Sequence, residues 1–181
     1  MIAVVDYGMG NLHSVQKGFE RVGFPARVTH DADLILGADG LVLPGVGAFR
    51  KAMENLRLLY LHKPLVKYLE SGKPFLGICL GMQLLFSESE EFGSERGLGF
   101  FEGKVVRFPV SGPLARQENG PLKIPHMGWN AVKICKPTAA LEGISGGTHF
   151  YFVHSFFPVP ADPGIVATTT HYGLSFASSV G

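Results

Sequence analysis

Pro74-Phe-Leu-Gly-Ile-Cys-Leu-Gly-Met-Gln-Leu-Leu-Phe86 opens as a short apolar strand, passes a cysteine set between Gly77 and Gly81, and continues from Gly81 with helical character. A strand that meets a helix with glycines on both sides of a cysteine has the form of a nucleophile elbow. The turn is tight, so it needs small neighbours. It lifts the Cys79 side chain above the sheet, the helix N-terminus favours the thiolate, and the backbone N–H of Leu80 faces developing negative charge. The competing reading is that Cys79 is a small core residue at a strand end.

Working outward, the same strand-then-helix alternation fills the N-terminal half. Residues 2–6 read as a short buried strand, followed by the turn Tyr7-Gly-Met-Gly-Asn11 and by Leu12, Val15, Phe19 and Val22 at helical spacing, with Asn11 as N-cap and Gly23 as terminator. Residues 26–29 form a second strand and 41–43 a third, closed by Pro44-Gly-Val-Gly47; one long amphipathic stretch over 48–69 then ends at Gly72. Strands alternating with helices imply a parallel α/β sheet. From Gly99 onward the chain changes to strand-like runs at 104–108, 131–135, 150–156 and 165–177, broken by Pro and Gly. The fold expected is therefore an open, mostly parallel sheet flanked by helices, with a mixed or antiparallel C-terminal half. The polar stretch 110–122 reads as a mobile surface loop.

With 181 residues, 46% of them hydrophobic and 17% charged, the chain fits a single domain. Lys plus Arg number 16 against 15 Asp plus Glu, so no large electrostatic attraction to nucleic acid or to an anionic membrane is expected. Met1-Ile-Ala-Val-Val-Asp6 carries no basic leader and no apolar run approaches the length of a bilayer span, which points to a soluble cytoplasmic protein. Cys79 and Cys135 sit in unlike contexts and read as two thiols rather than a disulfide; Cys135 has no catalytic frame and is taken as an ordinary structural cysteine. The seven histidines and two cysteines show no ligand-type spacing, so neither a metal site nor a cofactor is expected.

Pro44-Gly-Val-Gly47 lies at the carboxyl end of the third strand, where open α/β sheets place their ligands. Its glycines allow backbone N–H groups to turn toward a substrate carbonyl. One N–H from Val46 or Gly47 and one from Leu80 would form an oxyanion hole for acyl transfer to Cys79. Taken alone, the segment reads equally as an ordinary turn.

Together these segments resemble the class I glutamine amidotransferases, and within them the glutaminase subunits of imidazole glycerol phosphate synthases. The broad resemblance rests on Gly77-Ile-Cys-Leu-Gly-Met-Gln83. The narrower one rests on Asp6-Tyr-Gly-Met-Gly-Asn-Leu12, Leu43-Pro-Gly-Val-Gly-Ala-Phe49, Arg96-Gly-Leu-Gly99, Pro125-His-Met-Gly-Trp-Asn130 and Tyr151-Phe-Val-His-Ser155, in family order along almost the whole chain. The resemblance implies that Cys79 attacks the side-chain amide of glutamine to give a glutamyl thioester and ammonia, and that water then releases glutamate. Gly45, Val46 and Gly47 become the flexible part of the oxyanion hole and Leu80 the fixed part. Gln83 and Glu91 hold the amino-acid end of the substrate, and His154-Ser155 falls in the same pocket. His154 is not assigned as the base: a His in an aromatic strand-like run reads as a hydrogen-bonded structural residue. His126, His149 and His171 lack supporting patterns.

In the family the base and its orienting carboxylate come from a later Gln-Phe-His-Pro-Glu stretch, after a strand like Tyr172-Gly-Leu-Ser-Phe176. No such stretch occurs before Val180-Gly181. The expectation is that the 181 residues lack a terminal strand and helix belonging to a longer protein and are inactive as they stand. The resemblance also implies a heterodimer with a (β/α)₈ barrel cyclase. That partner takes the ammonia and yields imidazole glycerol phosphate and an aminoimidazole carboxamide ribotide in histidine biosynthesis. Its docking surface would include Asn11, Met127 and Trp129, and its substrate would control one peptide of the loop 45–47. By itself the only tryptophan reads as a core residue. Competing readings are a glutaminase subunit of the anthranilate, aminodeoxychorismate or guanylate type, a non-catalytic docking module with this fold, and an unrelated cysteine hydrolase.

Overall fold

Short apolar strands separated by amphipathic segments build the first half of the chain, as the periodicity requires. The computed structural model describes residues 1–112, the main chain of 116–117, and 120–181. The chain divides into two compact units, Met1–Ser89 with Gly93–Phe101, and Glu90–Phe92 with Glu102–Gly181.

In the first unit β1 (Ile2–Val5), α1 (Leu12–Arg21), β2 (Ala26–Thr29), α2 (Ala32–Gly37), β3 (Gly40–Gly45), α3 (Phe49–Leu58), α4 (His62–Glu70), β4 (Phe75–Cys79) and α5 (Leu80–Gln83) follow in order. The strands form a sheet in the order β2-β1-β3-β4 with every neighbour parallel. Strand order reverses between β1 and β3, so the carboxyl ends of those strands flank the crevice that doubly wound sheets use for ligands. The core consists of Ala3, Val4, Val5 and Leu41 to Leu43 from the central strands, with Phe49, Met53, Leu56, Leu65 and Tyr68 from α3 and α4, all 2% exposed or less. On α1, Leu12, Val15 and Phe19 pack against Val4, Ala26 and Val42. Asn11 caps α1 as expected, its side chain accepting from the Ser14 N–H at 3.3 Å. β4 lies at the edge of this sheet, and its Leu76 and Ile78 are exposed.

Three details differ from the sequence reading. The amphipathic stretch 48–69 is two helices. Tyr60 takes φ 57°, and the Leu61 N–H reaches the Leu56 carbonyl at 2.8 Å while the Tyr60 N–H reaches Arg57 at 3.0 Å. This is a Schellman termination with tyrosine in the left-handed position that glycine usually holds. Pro64, third in α4, has no N–H and cannot continue a helix from upstream, whereas in a first turn it costs nothing. Second, α2 was not expected; its signal is Asp31, whose carboxylate accepts from the N–H groups of Asp33 at 2.8 Å and Leu34 at 3.1 Å. Third, α5 ends at Gln83, and β5 (Phe86–Ser89) begins where the helix was expected to continue, pairing with β6 (Glu95–Arg96). Leu84, Leu85 and Phe86 are all buried, and a fully buried run carries no periodicity that separates helix from strand.

The second unit is antiparallel, as expected from residue 99 onward. β7 (Phe101–Arg107), β8 (Arg116–Gln117), β9 (Gly120–Pro121), β10 (His126–Ala131), β11 (Lys133–Ile134), β12 (His149–His154), β13 (Phe156–Pro160), β14 (Val166–Tyr172) and β15 (Leu174–Val180) pair as β13–β7, β8–β9, β10–β12, β11–β14 and β14–β15. The run 165–177 is a hairpin that reverses at Gly173, where φ is 70°. Phe108, Leu122, Phe157 and Phe176 make this unit's core. The expected loop 110–122 lies partly outside the described residues; within it β8 and β9 pair with each other. Among the described residues no helix is long and apolar enough to cross a membrane.

Candidate active site

Cys79 closes β4 and precedes α5 with φ 54° and ψ −114°, a backbone conformation that a side chain occupies only under constraint. The constraint is close packing of main chain on main chain. A Cβ on Gly81 would overlap the Leu43 carbonyl oxygen, so the start of α5 rests directly on β3. A Cβ on Gly45 would lie 2.6 Å from the Tyr7 hydroxyl and 2.9 Å from both the Gly81 nitrogen and the Leu80 Cβ. Gly45 is also the register partner of Cys79 across the β3–β4 pair. The elbow and the loop 45–47 are thus built against each other at the carboxyl ends of adjacent strands. There Val46 is 57% exposed, free to meet a ligand, and Gly47 has φ 89°.

Cys79 is solvent-exposed. Even so, the surrounding protein desolvates its thiolate and pushes the thiol pKa up, and the hydrogen bond from the Leu80 backbone N–H only partly offsets this. The sequence reading had the helix N-terminus favouring the thiolate. A four-residue helix carries little dipole, and desolvation wins.

Tyr7, two residues beyond the end of β1, is fully buried, and its hydroxyl donates to the Pro44 carbonyl at 2.8 Å. Burial, with a smaller contribution from Cys79, pushes its pKa above the ordinary tyrosine value. The sequence reading passed over Tyr7. Its signal was an aromatic hydroxyl at a strand's carboxyl end, directly before a glycine-rich turn.

Of the remaining expected site residues, Gln83 closes α5 and is buried, and Asn11 is exposed at the α1 cap in the same unit. Glu91, Met127, Trp129, His154 and Ser155 belong to the second unit. Glu91 is half-buried in a turn. The Ser155 carbonyl accepts from the Phe108 N–H at 3.0 Å. His154 is committed through both ring nitrogens: Nδ1 lies 2.9 Å from the Phe156 carbonyl oxygen and Nε2 lies 2.9 Å from Nδ1 of His126. The imidazole of His154 is therefore engaged within its own unit. His126, set aside in the sequence reading, is 2% exposed and is the second member of that pair. Trp129 is 71% exposed and is not a core residue, and its ring meets Tyr151 edge-on with centroids 5.7 Å apart. Met127 is exposed as well. Cys135 is exposed beyond the end of β11, with Sγ 3.6 Å from the Thr169 hydroxyl.

A parallel α/β sheet with a strained cysteine elbow facing a glycine loop is an arrangement suited to acyl transfer, and the chain belongs to the class-I glutamine amidotransferases, whose family model matches residues 3–175. Among curated relatives, the imidazole glycerol phosphate synthase subunit HisH of Syntrophotalea carbinolica is 54% identical over 181 residues, covering 99% of this chain and 86% of that one. The subunit of the same name from Aquifex aeolicus is 49% identical over 178 residues, covering 98% and 81%. A crystal structure of a glutamine amidotransferase superposes with a TM-score of 0.65 at 18% identity, over 98% of this chain and 89% of that one. The PurLQS structure from Thermotoga maritima gives 0.62 at 18% over 93% and 73%; both likenesses concern the fold.

Proposed function

We propose that this protein is the glutaminase subunit of an imidazole glycerol phosphate synthase, that it works through a Cys79 thioester, and that residues 1–181 act together as a single amidotransferase domain. The observation that carries this reading is the placement of Cys79, at φ 54° on the β4–α5 elbow, in register with Gly45 of the glycine loop. The names of the relatives support the choice of synthase.

In this mechanism the Cys79 sulfur attacks the side-chain amide carbon of glutamine. The carbonyl electron pair moves onto oxygen, where N–H groups from Leu80 and from Val46 or Gly47 receive it. Collapse of the tetrahedral intermediate expels the amide nitrogen, which leaves as ammonia after gaining a proton. Water then attacks the thioester, glutamate departs and the thiol is restored. A thiol whose pKa is raised by burial requires a general base. The resemblance gives that role to the histidine of the Gln-Phe-His-Pro-Glu stretch. Gln83 and Glu91 are assigned to the amino-acid end of the substrate, with the Glu91 carboxylate for its ammonium, and main-chain groups at His154 and Ser155 are assigned to substrate binding as well.

Ammonia released into water is protonated and loses its nucleophilicity, so a barrel cyclase that accepts it directly is the fitting partner. Asn11, Met127 and Trp129 are assigned to that heterodimer interface, in the cytoplasm. The test is glutamate release from glutamine by the full-length gene product with the cyclase and its ribulose-phosphate ligand, comparing wild type with Cys79→Ala. Ligand-stimulated release abolished by the substitution is the expected result. Release that survives it removes the thioester mechanism, and no release from either protein favours a docking module.

A further inference from the structure

Tyr7 is a buried polar side chain beside the elbow that the mechanism above leaves without a task, although nothing about its setting is incidental. Its ring is fully buried, its own carbonyl accepts from the Asn55 side chain at 3.0 Å, and the Gly8 N–H that follows it is turned onto the Asp6 carboxylate at 3.0 Å. Main chain and ring are therefore fixed before the hydroxyl reaches anything. That hydroxyl then meets the Pro44 carbonyl at 2.8 Å and fills the space where a side chain on Gly45 would stand.

We propose that Tyr7 is a positioning residue for the oxyanion loop: its hydroxyl clamps the Pro44–Gly45 peptide, so that turning is confined to Val46 and Gly47 above a stationary root. This rests on the reading of residues 45–47 as oxyanion donors. The peptide plane at 44–45 is rigid, so holding the Pro44 oxygen also fixes the direction of the Gly45 N–H and the origin of the loop. A donor that must meet a developing oxyanion at hydrogen-bond distance loses most of its value when its root wanders by even an ångström. A phenol suits the position because it stays protonated: burial and the neighbouring Cys79 both oppose its ionisation, so it remains a donor beside a thiolate.

The proposal separates two quantities that a general structural defect would move together. In the full-length gene product with its cyclase partner, Tyr7→Phe is expected to lower kcat for glutamine hydrolysis about tenfold to a hundredfold, with KM within about twofold, because the loss is felt in the transition state. Alkylation of Cys79 by iodoacetamide, followed by peptide mass spectrometry, is a displacement at saturated carbon that develops no oxyanion, and its rate is expected to stay within about twofold. Amide exchange is expected to quicken at Gly45, Val46 and Gly47 and to stay unchanged along β1, β4 and the rest of β3. A wild-type kcat in Tyr7→Phe overturns the proposal. So does an equal fall in hydrolysis and alkylation, or an exchange increase spread through the sheet. Cys79→Ala measured alongside keeps the two levels apart. Hydrolysis that survives Cys79→Ala removes the thioester reading, whereas hydrolysis lost in Cys79→Ala but intact in Tyr7→Phe removes only the role of Tyr7.

Discussion

Nδ1 of His126 lies 2.9 Å from Nε2 of His154, and this contact fixes the tautomers of both rings. A carbonyl can only accept, so the His154 Nδ1 beside the Phe156 oxygen carries a proton and its Nε2 is a bare acceptor. The His126 Nδ1 must then be the donor. Its own Nε2 is an acceptor, facing the Asn130 amide at 3.3 Å, and the second N–H of that amide reaches the His171 carbonyl at 2.9 Å. Every nitrogen is used once, with Tyr172 stacked on His126 at 4.0 Å and Phe108 edge-on to both imidazoles.

Such a pair is stable only when neutral. Burial pushes the His126 pKa from 6.5 down to about 4, with His154 adding to the fall, and burial lowers His154 as well. Between these limits the unfolded chain binds protons that the folded protein refuses. Stability is therefore fully present above about pH 6.5 and falls as pH drops toward about 4, by on the order of 3 kcal/mol for His126. Urea midpoints at pH 7.5 and pH 5 check this: wild type should lose stability across the interval, and His126→Gln should lose less. An equal loss in both proteins would remove the pair from the acid response.

The Cys79 backbone sets up a second expectation. At φ 54° and ψ −114° a Cβ is strained by roughly 1–3 kcal/mol, whereas glycine adopts this region freely. At ordinary positions glycine is the less stable of the Gly/Ala pair by about 1 kcal/mol. Here the order should reverse, with Cys79→Gly melting above Cys79→Ala by several degrees, although the proposed thioester mechanism makes both inactive. Thermal unfolding of the two variants decides it. A lower midpoint for the glycine variant would mean that the elbow carries no strain.

What the sequence made legible follows the physics of each signal. β2 was read to the residue, because its short alternating run stands between a helix terminator and a turn, and Asn11 and Gly23 punctuate α1 as their chemistry requires. The elbow was legible for the same reason: glycines at 77 and 81 mark close backbone approach, which no other residue permits at Gly81. The break at Tyr60 was not, because tyrosine does not advertise a left-handed turn. Tyr7 and His126 were missed because their importance lies in what they touch across the fold, the Pro44 carbonyl and the His154 ring, and such partners have no sequence spacing. The raised thiol pKa at Cys79 was misread because helix length and desolvation are properties of the packed structure.

Trp129 carries the last prediction. The register of β10 on β12 sets Met127 opposite Val153 and Trp129 opposite Tyr151, so these alternate positions share one face of the ribbon, and all four are more than half exposed. A side chain that contributes little to its own core can be truncated cheaply, so Trp129→Ala should change unfolding stability by less than about 0.5 kcal/mol. If this face receives the cyclase, a tryptophan at its centre has the character of an interface hot spot, and the same substitution should weaken the complex by about 2 kcal/mol or more, roughly thirtyfold. Trp129→Phe should fall between, because it keeps part of the aromatic surface. Calorimetric titration of the three full-length proteins with the cyclase checks the order, and unchanged affinity across the series would move the docking surface away from the β10–β12 ribbon.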